Sequence, residues 1–82
     1  TALSQDVVPL DRVPQGRVGS IVSLQGGPWA NARLAALGFT PGALVRVVRN
    51  SMRGPIIASV LETSIALGRG QARCILVRFG GD

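Results

Sequence analysis

The chain reads as mainly β, a small and partly open barrel of about five short strands with one inserted α-helix. Three observations predict it. Glycine at 11 positions and proline at 5 cut the 82 residues into brief pieces, as tight turns between short strands require. Apolar residues alternate with polar ones in several of those pieces, and a single stretch changes to helical spacing. With 46% hydrophobic and 16% charged residues, the composition is that of a globular protein. The length allows one domain, spanning 1–82, with a small core.

The elements follow in chain order. Arg17 to Leu24 is the first predicted strand, with Val18, Val22 and Leu24 on one face and Gly19, Ile21 and Ser23 on the other. Pro28 to Leu37 reads as the helix: Ala30, Leu34 and Leu37 recur at i, i+4 and i+7, Pro28 sits where a helix tolerates proline, and Gly38 supplies the C-cap. At about three turns it is too short to persist alone, so Leu34 and Leu37 are expected to fix it to the sheet, plugging an open end of the barrel. Thr40-Pro41-Gly42 is a turn, with Pro41 presetting φ and Gly42 free to take positive φ. Leu44 to Asn50 alternates Val45 and Val47 against Arg46, Ile56 to Glu62 is a third strand, and Ser64 to Leu67 follows a turn near Thr63. Gly68-Arg69-Gly70 is expected to be a plain turn before the last strand, Cys74 to Phe79, in which Ile75, Val77 and Phe79 face one way and Arg78 the other. These elements fit a barrel of SH3-like or OB type, and periodicity does not choose between them.

Catalysis finds little to work with. There is no His, Lys or Tyr, the usual acids, bases and activated nucleophiles. No glycine-rich loop precedes a Lys-Ser/Thr pair, so nucleotide hydrolysis is not expected. The side-chain carboxylates are Asp6, Asp11, Glu62 and Asp82, too scattered for a paired-carboxylate site. No metal ligands and no cofactor are assigned, since zinc, iron and copper sites draw on His or clustered Cys. A metal ion, where bound, would be shared by carboxylates of neighbouring chains in a weak homo-oligomer. Cys74, the sole cysteine, is expected to be a buried strand thiol, and its solitude favours a reducing compartment. With no apolar run long enough to span a membrane and no signal core at the N-terminus, the sequence reads as cytoplasmic.

A chain without catalytic groups acts by binding. Trp29, at the start of the helix, either covers the barrel mouth or stacks on a partner. Arg33 lies one turn on, and Met52 and Arg53 form the tip of the Asn50 to Pro55 loop. Aromatic, Met and Arg side chains are enriched at protein interfaces, so Trp29, Arg33, Met52 and Arg53 are the candidate partner-binding residues. Phe39 is expected to anchor the turn after the helix to the core. The net charge of +5, nine arginines against four acids, admits nucleic acid as a partner although the arginines are not interleaved with aromatics.

From Leu10 to Val77 the order of motifs resembles the FeoA family, the small cytosolic component of the Feo ferrous-iron transport system. Leu10, Val13, Gly16, Gly19 and Ile21 look like the family's opening. Arg33-Leu34 and then Leu37-Gly38-Phe39-Thr40-Pro41-Gly42 look like its most diagnostic piece. Val45 and Val47, Gly54-Pro55, and Ile65-Ala66-Leu67 with Ala72 and Ile75 continue the series. The chain departs from the pattern in having only Arg33 where the helix often carries several consecutive basic residues, Arg53 where a second glycine is common, and Gln71 where glutamate is common. The resemblance implies an SH3-like barrel and a non-catalytic accessory role in ferrous-iron uptake. The implied partner is FeoB, a permease with a cytosolic GTPase domain, through which the chain would be peripheral to the membrane. Two other readings stand beside it: an SH3-like domain related to metal-dependent repressors, and an arginine-based nucleic-acid-binding barrel.

Overall fold

A computed structural model of the chain describes residues 7–51 and 53–79. Six strands form one antiparallel sheet: β1 (Val7–Pro9), β2 (Val18–Leu24), β3 (Leu44–Arg49), β4 (Ile56–Val60), β5 (Thr63–Leu67) and β6 (Ile75–Arg78), in the order β1-β6-β2-β3-β4-β5. Two α-helices interrupt the series, α1 (Gly27–Ala36) between β2 and β3, and α2 (Arg69–Arg73) between β5 and β6. The sequence predicts five strands and one helix, so β1 and α2 are additions. β1 has three residues and ends in Pro9, and an edge is where a strand tolerates proline. A 3₁₀ turn, Leu10–Arg12, follows it and drives Leu10 into the core. α2 takes the segment read above as a plain turn, with Gly68 as its N-cap, because the Gln71 side-chain oxygen accepts the Gly68 N–H at 3.0 Å and closes the first turn.

Alternation decides what each strand buries. In β3, Val45 and Val47 are buried while Arg46 is exposed; in β4, Ile56, Ala58 and Val60 point inward. β2 departs from the simple pattern: Gly19 and Ile21 face the core, and a register shift between Ile21 and Ser23 breaks the expected grouping of Val18, Val22 and Leu24. A Cβ at Gly19 would lie 3.3 Å from Val77 Cβ, so a larger residue there would have to push β6 aside by a few tenths of an ångström. Leu10, Val13, Ile21, Leu34, Phe39, Val45, Ile56, Leu67, Ile75 and Val77 belong to one continuous core.

The two ends of α1 are fixed in different ways. At its C-terminus the Gly38 N–H donates to Ala35 O and the Phe39 N–H to Leu34 O, both at 3.0 Å, with Gly38 at φ +108°. This is a Schellman cap, and buried Phe39 and Leu34 complete its apolar contact. The Thr40 carbonyl then accepts the Ala43 N–H across Pro41-Gly42 with Gly42 at φ +91°, the turn that the sequence predicts. β4 and β5 are joined by a two-residue turn in which Leu61 and Glu62 both have positive φ, 51° and 64°. Asn-Gly is the usual occupant of such a turn, and its position follows from the Val60–Thr63 pairing.

Candidate interaction site on the two helices

The site is assembled where the start of α1 meets the end of α2. Gly26, the residue before α1, comes so near the last turn of α2 that a Cβ would sit 3.2 Å from Cys74 Sγ and 2.9 Å from Ala30 Cβ. Only glycine permits that approach. Asn31 holds the junction from inside α1: its side-chain oxygen accepts the Gly26 N–H at 2.8 Å, and its Nδ2 donates to Leu24 O at 3.2 Å. Cys74 donates its thiol to Gly70 O at 3.3 Å. It is half-buried at the C-cap of α2, not a buried strand residue, because the last strand begins one residue later, at Ile75.

Between the helices lies an open cleft of about 170 Å³ lined by Ala30, Arg33, Leu34, Gly70, Gln71 and Cys74. Leu34 is 2% exposed. Outside this cleft, α1 presents Trp29 to solvent at 87% exposure, which excludes the core-cover reading of that side chain. Arg33 follows at i+4 and is also exposed, so the two lie one above the other on the helix surface. Leu37, expected to face the sheet with Leu34, is 46% exposed at the C-cap. The helix ends at Ala36, and the turn to Gly38 swings Leu37 outward while Phe39 enters the core. Leu61 extends the apolar surface, since its Cδ1 would lie 3.0 Å from a Cβ at Gly38.

Arg53 is exposed in the loop between β3 and β4. That loop and the Leu61-Glu62 turn are at opposite ends of the β4 strand, so Arg53 is not part of the patch that runs from α1 to Leu61. Met52 lies outside the described residues. The loop is rooted by Asn50, whose Nδ2 donates to Asp11 O at 3.0 Å and Val13 O at 2.8 Å, while its Oδ1 accepts from Arg69 Nη2 at 3.0 Å. Arg73 lies 3.6 Å from Asp11, and the Arg17 guanidinium stacks over Phe79 at 5.4 Å. Among the described residues no three His, Cys, Asp or Glu side chains gather into a metal site, and no helix is long and apolar enough to cross a membrane.

Sequence reasoning placed Trp29, Ala30 and Arg33 on one helix but missed Gln71 and Cys74 as their neighbours, because α2 carries no apolar periodicity and opens on Gly68-Arg69-Gly70. Glutamine at position 71 still performs the capping that a glutamate would, through the same side-chain oxygen.

Comparison with known proteins places these features in a family. The FeoA domain model matches residues 8–79. The chain is 34% identical over 77 residues to the protein named "Putative Fe(2+) transport protein A" of Methanocaldococcus jannaschii, covering 90% of this chain and 93% of that one. A crystal structure of an iron uptake regulatory protein, FeoA, superposes with a TM-score of 0.86 at 39% identity, over 92% of this chain and all of the other. The zinc complex of Stenotrophomonas maltophilia FeoA, described as a prokaryotic SH3 domain protein, superposes with a TM-score of 0.76 at 27% identity, over 83% and 86% of the two chains. The fold is therefore SH3-like, and the chain belongs to the FeoA family of ferrous-iron transport accessory proteins.

Proposed function

We propose that this chain is a non-catalytic accessory protein that docks on the cytosolic side of a FeoB-type ferrous-iron permease, with α1 as its main contact. The observation that carries the reading is Trp29, 87% exposed with Arg33 on the next turn, in a member of an iron-transport family. Large exposed aromatics cost solubility, and Trp and Arg are the side chains most often found as interface hot spots. Arg53 and Met52 of the β3–β4 loop supply a second, separate contact. The sequence contains no His, Lys or Tyr, so the chain acts on GTP turnover or pore opening by binding one conformation of its partner more tightly than another. Family membership favours this over the repressor-related and nucleic-acid readings.

The test is ferrous-iron uptake at limiting iron in cells lacking the protein, complemented with wild type, Trp29→Ala or Arg53→Glu, together with co-purification of the permease. Deletion should impair uptake, wild type should restore it, and both folded variants should restore less and retain less permease. Normal uptake after deletion overturns the accessory role; full complementation by both variants overturns the surface.

A further inference from the structure

Resting on that docking reading, we propose that the cleft between α1 and α2 receives one bulky apolar side chain from an acidic segment of the partner, with Arg33 pairing to a carboxylate beside it. The volume sets the size of the guest. About 170 Å³ is comparable to cavities that accept a benzene ring, so the cleft suits one Phe or Leu side chain and not a whole helix. The lining sets its polarity. Ala30 and Leu34 are apolar, and Cys74 contributes a polarisable sulfur whose hydrogen is already committed to Gly70 O. Gln71 has its side-chain oxygen engaged by Gly68 N–H, which leaves its amide NH₂ to donate at the rim.

Charge selects the rest of the segment. Neither helix contains an acidic residue, while together they carry Arg33, Arg69 and Arg73. Arg69 is tied to Asn50 and Arg73 to Asp11, and Arg33 has no hydrogen-bond or ion-pair partner among the described residues. An Arg at the mouth of an apolar cleft is the arrangement that captures a carboxylate adjoining an apolar anchor. A second copy of this chain is the poorer guest, since two chains of net charge +5 repel.

The molecule contains one Trp and one Cys; Cys74 lines the cleft and reports its occupancy directly, while Trp29, outside the cleft and one helical turn from Arg33, reports a segment bound beside it, both without labelling. The probe is a twelve-residue acetylated peptide rich in Glu with a single central Phe, compared with its Phe→Ala and all-Glu→Lys counterparts. Titrated into the full chain at low salt, the Glu/Phe peptide should change Trp29 emission and slow alkylation of Cys74 by iodoacetamide at least about fivefold at saturation. Arg33→Glu should weaken binding about tenfold or more, and Ala30→Leu, which fills the cleft, should abolish protection of Cys74. Arg46→Glu, the same charge change on the exposed face of β3, should alter binding less than about twofold, the range expected of screened long-range charge. Circular dichroism first confirms that each variant is folded.

The proposal is overturned if the peptide gives no protection at concentrations up to about 1 mM, the edge of weak association. It is also overturned if the Phe→Ala peptide binds equally or if Arg46→Glu weakens binding as much as Arg33→Glu. Sedimentation showing a dimer that Ala30→Leu dissociates would give the cleft to a second copy and overturn it as well. Permease co-purification separates the two readings. If Ala30→Leu and Arg33→Glu retain the permease as wild type does while Trp29→Ala does not, only the cleft assignment fails. If the cleft takes the peptide but the wild-type chain retains no permease, the docking reading fails instead.

Discussion

Leu34 and Leu37 were indistinguishable on the helical wheel, yet the structure separates them, which makes Leu→Ala at the two positions a decisive pair. Truncating leucine removes three carbons, worth about 2.4 kcal/mol in transfer free energy when the side chain is buried. Leu34, at 2% exposure in the Schellman contact with Phe39, should lose all of that. Because it also lines an open cleft, its void can hydrate, so the total should stay near the lower end of the range for buried leucines, about 2.5–3 kcal/mol. Leu37 at 46% exposure has roughly half as much to lose, about 1 kcal/mol. A folded unit of 82 residues would unfold with an entropy of about 170 cal/mol/K, so the expected drops in Tm are about 15 °C and 6 °C. Scanning calorimetry of both variants, with urea midpoints as a second measure, reads the difference. Equal shifts, or a larger one for Leu37→Ala, would refute the assignment of the inward face.

Asn50→Ala should cost about 2–4 kcal/mol in urea denaturation, since it strips the donors from Asp11 O and Val13 O and the acceptor from Arg69; a loss below about 0.5 kcal/mol would show that the loop is rooted elsewhere. Glu62→Gly should raise stability by about 0.5–1 kcal/mol, because glycine relieves the left-handed backbone at φ 64° by more than it adds to unfolded-chain entropy; a lower Tm would contradict this. The purified chain should hydrolyse neither GTP nor ATP, and turnover that co-elutes with it through repurification would overturn the non-catalytic reading.

Much of the fold was legible because local rules and tertiary demands agreed. The Pro41-Gly42 turn, the Gly38 cap and the alternation of Val45, Arg46 and Val47 each express a local preference that the sheet also needs. The failures occurred where tertiary context decided. β1 consists of three residues, the last a proline, and pairing with β6 creates it. α2 is a five-residue helix opened by a single hydrogen bond from the Gly68 N–H to the Gln71 side chain, a contact with no periodic signature. The candidate site divided along the same line: Trp29 and Arg33 were visible as neighbours on one helix, whereas Cys74 and Gln71 come from a helix that the pattern did not announce.

The pairing of Val7 with Arg78 has a consequence for how such a fold can travel. Adjacent strands lie about 4.8 Å apart, so the described chain enters and leaves the sheet at nearly the same point. A short linker joining those ends, with new termini cut at the Leu61-Glu62 turn, would preserve each of the five strand pairings. By the same geometry the unit can be spliced into a surface loop of another protein while hardly spreading the host's loop ends.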